Sequence, residues 1–318
     1  MYYNGDNVPF DYQKALIWFK KAADAGDIAA MDMVGYIYWE DLGDYSTSLI
    51  WFKKAADADA GAAPVMTTIG IAYEEGLGVP QNYGTAIEWF EKAADALNTD
   101  AMTYLGYMYE NGLGVTQNYQ TAMEWYRKAA DAGDSHAMYA IGNLYKNGLG
   151  VSQNYGTAIG WFEKAADELN TDAMNSLGYM YQNGVGVSQN YQTAIEWYSD
   201  AADHGSTTAM NLLGYMYEYG VGVSQNYQTA IEWYSKAADA GSPGGMYCIG
   251  EMYEDGVGVS QNYQTAMEWY SKAADLEYGL AMYAIGDLYK NGLGVPQSDE
   301  IAKMWFDKGS QNLAIQVN

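Results

Sequence analysis

Tryptophan sets a ruler along this chain. Trp89, Trp125, Trp161, Trp197, Trp233, Trp269 and Trp305 stand 36 residues apart, and Trp18, Trp51 and Trp89 continue the series with steps of 33 and 38. A fixed period in this range means that one small unit of secondary structure recurs and must bury its apolar face against its neighbours. The period overrides the two-domain expectation that 318 residues would otherwise raise. The short step matches a trimmed loop, Asp41-Leu42-Gly43 standing where a later unit has Gly112–Gln117. The long step matches an insertion near Asp59–Pro64, and Trp39 falls outside the series.

One unit, Ala101 to Asp131, shows what recurs. Ala101, Met102, Leu105, Gly106, Met108 and Tyr109 share one face at helical spacing, which predicts a first helix over about residues 100–111. Gly112 follows as a residue able to take positive φ at the helix end. Asn118 is placed to cap a second helix, in which Ala122, Trp125, Tyr126 and Ala129 form the apolar stripe. Gly133 stops that helix. Gly106 weakens its helix by about 1 kcal/mol relative to alanine, yet glycine returns at 35, 70, 142, 178, 214, 250 and 286. Close helix approach is the physical reason for such a residue. Glu88–Lys92, Glu124–Lys128, Glu232–Lys236 and Glu268–Lys272 have the spacing of structural ion pairs on the second helix.

These residues carry a family resemblance. The Gly-x-Gly-Val loop, the Ala-x-x-Trp-Tyr-x-Lys-Ala-Ala helix and the 36-residue step resemble the Sel-one-like repeat family, relatives of the tetratricopeptide repeats. The resemblance implies an all-α, right-handed αα-superhelix of about eight to nine repeats, residues 1–318 forming a single solenoid. It implies first helices lining a concave side, and work as an adaptor or scaffold, with a lean toward an extracellular or periplasmic setting. Some secreted members pair cysteines within each repeat and are linked to β-lactam binding; here Cys248 is the only cysteine, so no internal disulfide forms.

Composition narrows the partners. A net charge of -25 repels nucleic acid and anionic membranes, and favours basic or neutral proteins, peptides or a glycan. No apolar run approaches the ~20 residues that span a bilayer. The Gly-x-Gly loops follow a helix rather than a strand and lack the third glycine of a dinucleotide fingerprint, so they read as structural turns. His136 and His204 are 68 residues apart and cannot share a metal or a triad. Glu251, Glu254 and Asp255 form the densest acidic group but match no calcium loop. Neither a catalytic residue, nor a metal site, nor a cofactor is expected.

The outward positions of the first helix are the candidate site. Core positions repeat almost unchanged, while the equivalents of 103, 104, 107 and 110 vary and collect Tyr, Asn and acids. Tyr104, Tyr107, Tyr139, Asn143, Asn175, Tyr179, Asn211, Tyr215, Tyr247, Glu251, Tyr283 and Asp287 are therefore the expected partner-binding residues. Tyrosine offers contact area at low entropic cost and asparagine adapts its hydrogen bonds. The leading expectation is a non-enzymatic interaction scaffold. A second is head-to-tail self-assembly, because the sequence begins part-way through a repeat and ends in a short tail. Met1, Tyr2, Trp18, Phe19, Leu313, Ile315 and Val317 would make that contact. A hydrolase related to the β-lactam-binding members is the third.

Overall fold

The structure, a computed structural model, describes residues 11–59 and 62–316, with side chains in the last helix as far as residue 312. The described residues form helices and turns, and the chain falls into two compact units, one ending at Glu168 and one starting at Leu169.

The first unit contains α1 (Tyr12–Asp24), α2 (Ile28–Tyr36), α3 (Tyr45–Ala58), α4 (Ala63–Glu75), α5 (Tyr83–Asp95), α6 (Thr99–Asn111), α7 (Tyr119–Asp131), α8 (Ser135–Asn147) and α9 (Tyr155–Asp167). The second contains α10 (Thr171–Asn183), α11 (Tyr191–Asp203), α12 (Thr207–Tyr219), α13 (Tyr227–Asp239), α14 (Pro243–Asp255), α15 (Tyr263–Asp275), α16 (Gly279–Asn291) and α17 (Asp299–Gln316). From α2 onward, even-numbered helices are the first and odd-numbered the second of each pair. Within each unit a helix packs on its pair-mate and on the next pair, which is solenoid stacking.

The recurring letters each do a local job. The asparagine before the second helix accepts a hydrogen bond from a backbone N–H inside the first turn, as Asn118 does from Thr121 at 3.2 Å. Gln117 Nε2 donates to the Glu110 carbonyl at the end of α6 and to the Tyr119 hydroxyl at the start of α7. The Gln-Asn-Tyr triplet thus ties one helix end to the next helix start. Gly112 ends α6 with φ of 70°. A Cβ on Gly114, the second loop glycine, would meet the Tyr83 backbone and Cβ of the preceding repeat inside contact distance.

The core is built from the predicted faces. Ala101, Leu105, Met108, Ala122, Tyr126 and Ala129 are fully or almost fully buried. Gly106 is needed because a Cβ there would drive into the Tyr126 ring, so its close neighbour is a side chain of the paired helix. In the trimmed repeat a π-helical turn, Ile37–Asp41, replaces the loop, and Trp39 lies edge-on to Tyr45 with centroids 4.8 Å apart.

Two details depart from the sequence expectation. Trp125 is only half buried, outside the fully buried stripe that Ala122, Tyr126 and Ala129 form. The second-helix lysines lie over tryptophan rings three residues earlier instead of meeting the glutamates four residues earlier. Lys92, Lys128, Lys236 and Lys272 sit 4.2, 3.8, 3.8 and 3.9 Å from the centroids of Trp89, Trp125, Trp233 and Trp269. A half-exposed indole face attracts an ammonium as strongly as an exposed carboxylate does, and also covers its methylene stem.

Candidate functional site

The outward positions separate into two kinds. The equivalents of position 107 stand in solvent: Tyr107, Tyr179 and Tyr215 are 45%, 55% and 45% exposed, Glu251 and Asp287 are exposed, and Asn143 is half buried. The equivalents of 103 turn back to the fold. Tyr139, Tyr247 and Tyr283 pack against the second-helix rings of Phe162, Tyr270 and Phe306 at centroid distances of 5.7, 5.6 and 5.8 Å. Asn175 and Asn211 donate through Nδ2 to Ser206 and Ser242, the capping serines of the next first helix, each at 2.9 Å. The Oδ1 atoms of both asparagines are buried without a partner, as is Thr103 Oγ1. Tyr104 lies flat on Phe90, centroids 4.9 Å apart and planes 4° apart.

A second ladder runs under this face. The buried ring of the second helix meets the residue sixteen positions earlier on the first helix. Tyr126, Tyr234 and Tyr270 donate their hydroxyls to Glu110, Glu218 and Glu254 at 2.6, 2.7 and 2.7 Å, and Tyr198 donates to Gln182 at 2.8 Å. Where the ring is phenylalanine there is no hydroxyl, and the partner position holds lysine opposite Phe162 and Phe306, Lys146 and Lys290. Glu74 is the mismatch: an acid opposite Phe90, accepting through its backbone carbonyl from Gln81 but with no hydrogen-bond donor on its carboxylate among the described residues. Burial, and then the charge of Glu75, pushes its carboxyl above the ordinary range. The pairing is legible in the sequence only when positions sixteen apart are read together.

Glu74 opens into a cavity of about 730 Å³ in the first unit, formed by the outward face of α4, α6 and α8. Pro64, Thr67, Thr68 and Ile71 of α4 make one wall; Thr103, Tyr104 and Tyr107 of α6 face them, over Tyr126. Glu74, Glu75, Asp100 and Asp134 rim it, with His136 and Ala140, and neither lysine nor arginine lines it. Burial, and the charges of Glu74, Glu75 and Asp100, raise the Tyr104 phenol pKa. Of the sequence candidates, this cavity gathers Tyr104 and Tyr107.

In the second unit the acidic group is internally served. Tyr247 donates to Glu251 at 2.7 Å and Tyr215 stacks at a tilt on Tyr219, centroids 4.7 Å apart. Cys248 is half buried among them, and burial pushes its thiol up to about 12, so it is an inert side chain at neutral pH. Among the described residues no group of three or more His, Cys, Asp or Glu is arranged to hold a metal ion. His204 is exposed, its Nδ1 2.8 Å from the Asp200 carbonyl. Of the chain-end candidates, Trp18 is 60% exposed with Lys21 over its ring, and Phe19 packs beside Ala23 and Val34. Leu313 and Ile315 fall within α17, beyond its described side chains, and Met1, Tyr2 and Val317 lie outside the described residues.

Paired helices, glycine-ended first helices and a recurring buried ring define a repeat solenoid. The Sel1 repeat model matches residues 1–27, 28–59, 66–96, 99–134, 135–168, 171–206, 207–242, 243–278 and 279–312, and the chain belongs to the Sel1 repeat family. Among solved structures, a Sel1 repeat protein from Oxalobacter formigenes is 32% identical with a TM-score of 0.68, covering 80% of this chain and 99% of its own. A protective antigen present in uropathogenic Escherichia coli strains, displaying an SLR fold, is 32% identical with a TM-score of 0.59, covering 99% of this chain and 77% of its own. No curated protein matches the chain. Sel1 repeat proteins are generally protein-interaction scaffolds and typically non-catalytic. Among the described residues no helix is long and apolar enough to cross a membrane.

Proposed function

We propose that this chain is a non-enzymatic scaffold that receives a basic or neutral protein or peptide on the outward face of its first helices. One observation carries the reading. The same helical position that varies between repeats, position 107 and its equivalents, is also the one that leaves Tyr107, Tyr179 and Tyr215 standing in solvent. Large aromatic rings exposed at one register of three repeats exceed what packing needs, although Tyr215 also leans on Tyr219. Aromatic anchors of this kind carry much of the binding energy at interfaces. An acidic chain selects partners of opposite or no charge through the same face. An extracellular or periplasmic setting for the encounter is proposed on family resemblance alone.

The test replaces Tyr107, Tyr179 and Tyr215 together with alanine, which spares the rings that pack on the second helices. A partner recovered by affinity capture on the native chain is expected to lose at least tenfold in affinity, with the thermal melt unchanged. Unaltered affinity would remove this face from the interaction.

A further inference from the structure

We infer that the cavity between α4, α6 and α8 is a receptor for an arginine side chain of the docked polypeptide, with Glu74 receiving the guanidinium. The inference rests on the docking function proposed for this face and names the chemistry it selects.

Four observations converge on that occupant. Glu74 is the acid of its ladder whose donor is missing: Glu110, Glu218 and Glu254 each accept a tyrosine hydroxyl, whereas Glu74 faces Phe90. A half-buried carboxylate without a donor inside the protein is poised to take one from outside. Glu75, Asp100 and Asp134 surround the same space and neither lysine nor arginine lines it, so its carboxylates outnumber the single histidine, His136, and favour a cation. Tyr104, held flat by its stack on Phe90, and the exposed ring of Tyr107 supply faces on which a planar cation can lie. Thr103, whose Oγ1 is buried without a partner, also belongs to the lining, which adds unmet polar character to the wall.

Size and geometry choose among cations. About 730 Å³ is the volume of a small-ligand site, and the described residues offer no metal-holding group. A guanidinium presents several donors in one plane and stacks on aromatic rings while doing so, which a compact ammonium cannot match.

The probe is the pentapeptide acetyl-Gly-Gly-Arg-Gly-Gly-amide, titrated into the full chain at physiological ionic strength and followed by amide chemical shifts. Its citrulline and lysine counterparts serve as controls. The arginine peptide is expected to shift residues of α4, α6 and α8 and to bind at least tenfold more tightly than the citrulline peptide. Glu74→Gln should weaken it at least fivefold. Phe90→Tyr should do the same by supplying the missing hydroxyl, while Glu254→Gln, whose carboxylate Tyr270 already occupies, should leave it unchanged. Equal binding of the citrulline or lysine peptide, or indifference to Glu74→Gln, overturns the assignment; Glu74→Gln decides if Phe90→Tyr does not fold. Release of the captured partner by the triple tyrosine variant, with no arginine-peptide binding, removes the cavity assignment alone. Arginine-specific binding lost in Glu74→Gln, with the partner indifferent to the tyrosines, removes the docking reading instead.

Discussion

At one rung of the ladder, two neighbouring repeats of the first unit differ by a single hydroxyl group, Tyr126 against Phe90. In the α6–α7 repeat Glu110 is held by Tyr126, and in the α4–α5 repeat Glu74 stands opposite Phe90 with nothing to hold it. The second unit follows the first pattern, with Glu218 on Tyr234 and Glu254 on Tyr270. The same helical position therefore serves as an internal strut in most acidic repeats and as an available charge in one. A repeat protein can acquire a specific site this way without disturbing its stacking. The core letters stay fixed, and the loss of one buried donor exposes an acceptor to partners.

The two rings sit alike against the glycines of their paired helices, and those glycines give the largest expected effect. A Cβ on Gly70 would enter the Phe90 ring as one on Gly106 would enter the Tyr126 ring. Gly70→Ala and Gly106→Ala are each expected to destabilise the chain by about 1–3 kcal/mol, the overpacking cost exceeding the gain in helix propensity. Urea titrations that give equal losses show that the two rings are seated alike, leaving the hydroxyl as their difference. A loss at one site alone would show that the rings are seated differently and would break the comparison.

Removing the strut is the next smaller effect. Tyr126→Phe should convert Glu110 into a second Glu74, costing about 1–2 kcal/mol for a carboxylate stripped of its donor. Denaturant midpoints of this variant and of Tyr270→Phe in the second unit should fall together. A neutral result at both would mean that water already satisfies these acids, and the contrast with Glu74 would lose its energetic basis.

Much of this was open to a sequence reader. The period, both helices of each pair, the capping asparagines, the glycine stops and the buried alanine and methionine positions follow from local spacing. They are set by the chain within about a dozen residues of each other, where helix periodicity and turn chemistry act. What spacing along one helix could not reveal is contact between helices. Tyr139, Tyr247 and Tyr283 face outward by helical periodicity, yet the paired helix brings up Phe162, Tyr270 and Phe306 to cover them. The Glu–Lys spacing was equally legible, but the side chains had a competing tryptophan face one residue nearer. Glu74 was visible as an outward acid; its lack of a donor depends on Phe90, on another helix.

The smallest expected effect is on pH dependence, and it isolates Glu74 from its neighbours. Burial and the adjacent Glu75 raise the carboxyl pKa of Glu74 in the folded chain above the ordinary value of 4.5. The folded state therefore binds the proton more tightly than the unfolded state does. The stability contributed by the protonated group is fully present below 4.5 and is lost as pH rises through the raised folded value. Glutamine cannot ionise, so Glu74→Gln should equal the native chain in stability at acid pH and exceed it at neutral pH. Half exposure and solvent screening keep the gain below about 1 kcal/mol. Glu75, Asp100, Asp134, His136 and Tyr104 line the same cavity in both proteins. Glu110→Gln is the counterpart: Gln182 already accepts the Tyr198 hydroxyl at the same place, so this change should preserve the strut and bring no gain at neutral pH. Thermal melts of the two variants and the native chain between about pH 4 and pH 7 give both difference curves. A flat curve for Glu74→Gln would mean that Glu74 reaches water as freely as a surface acid. The two repeats would then differ in sequence but not in what they offer a partner.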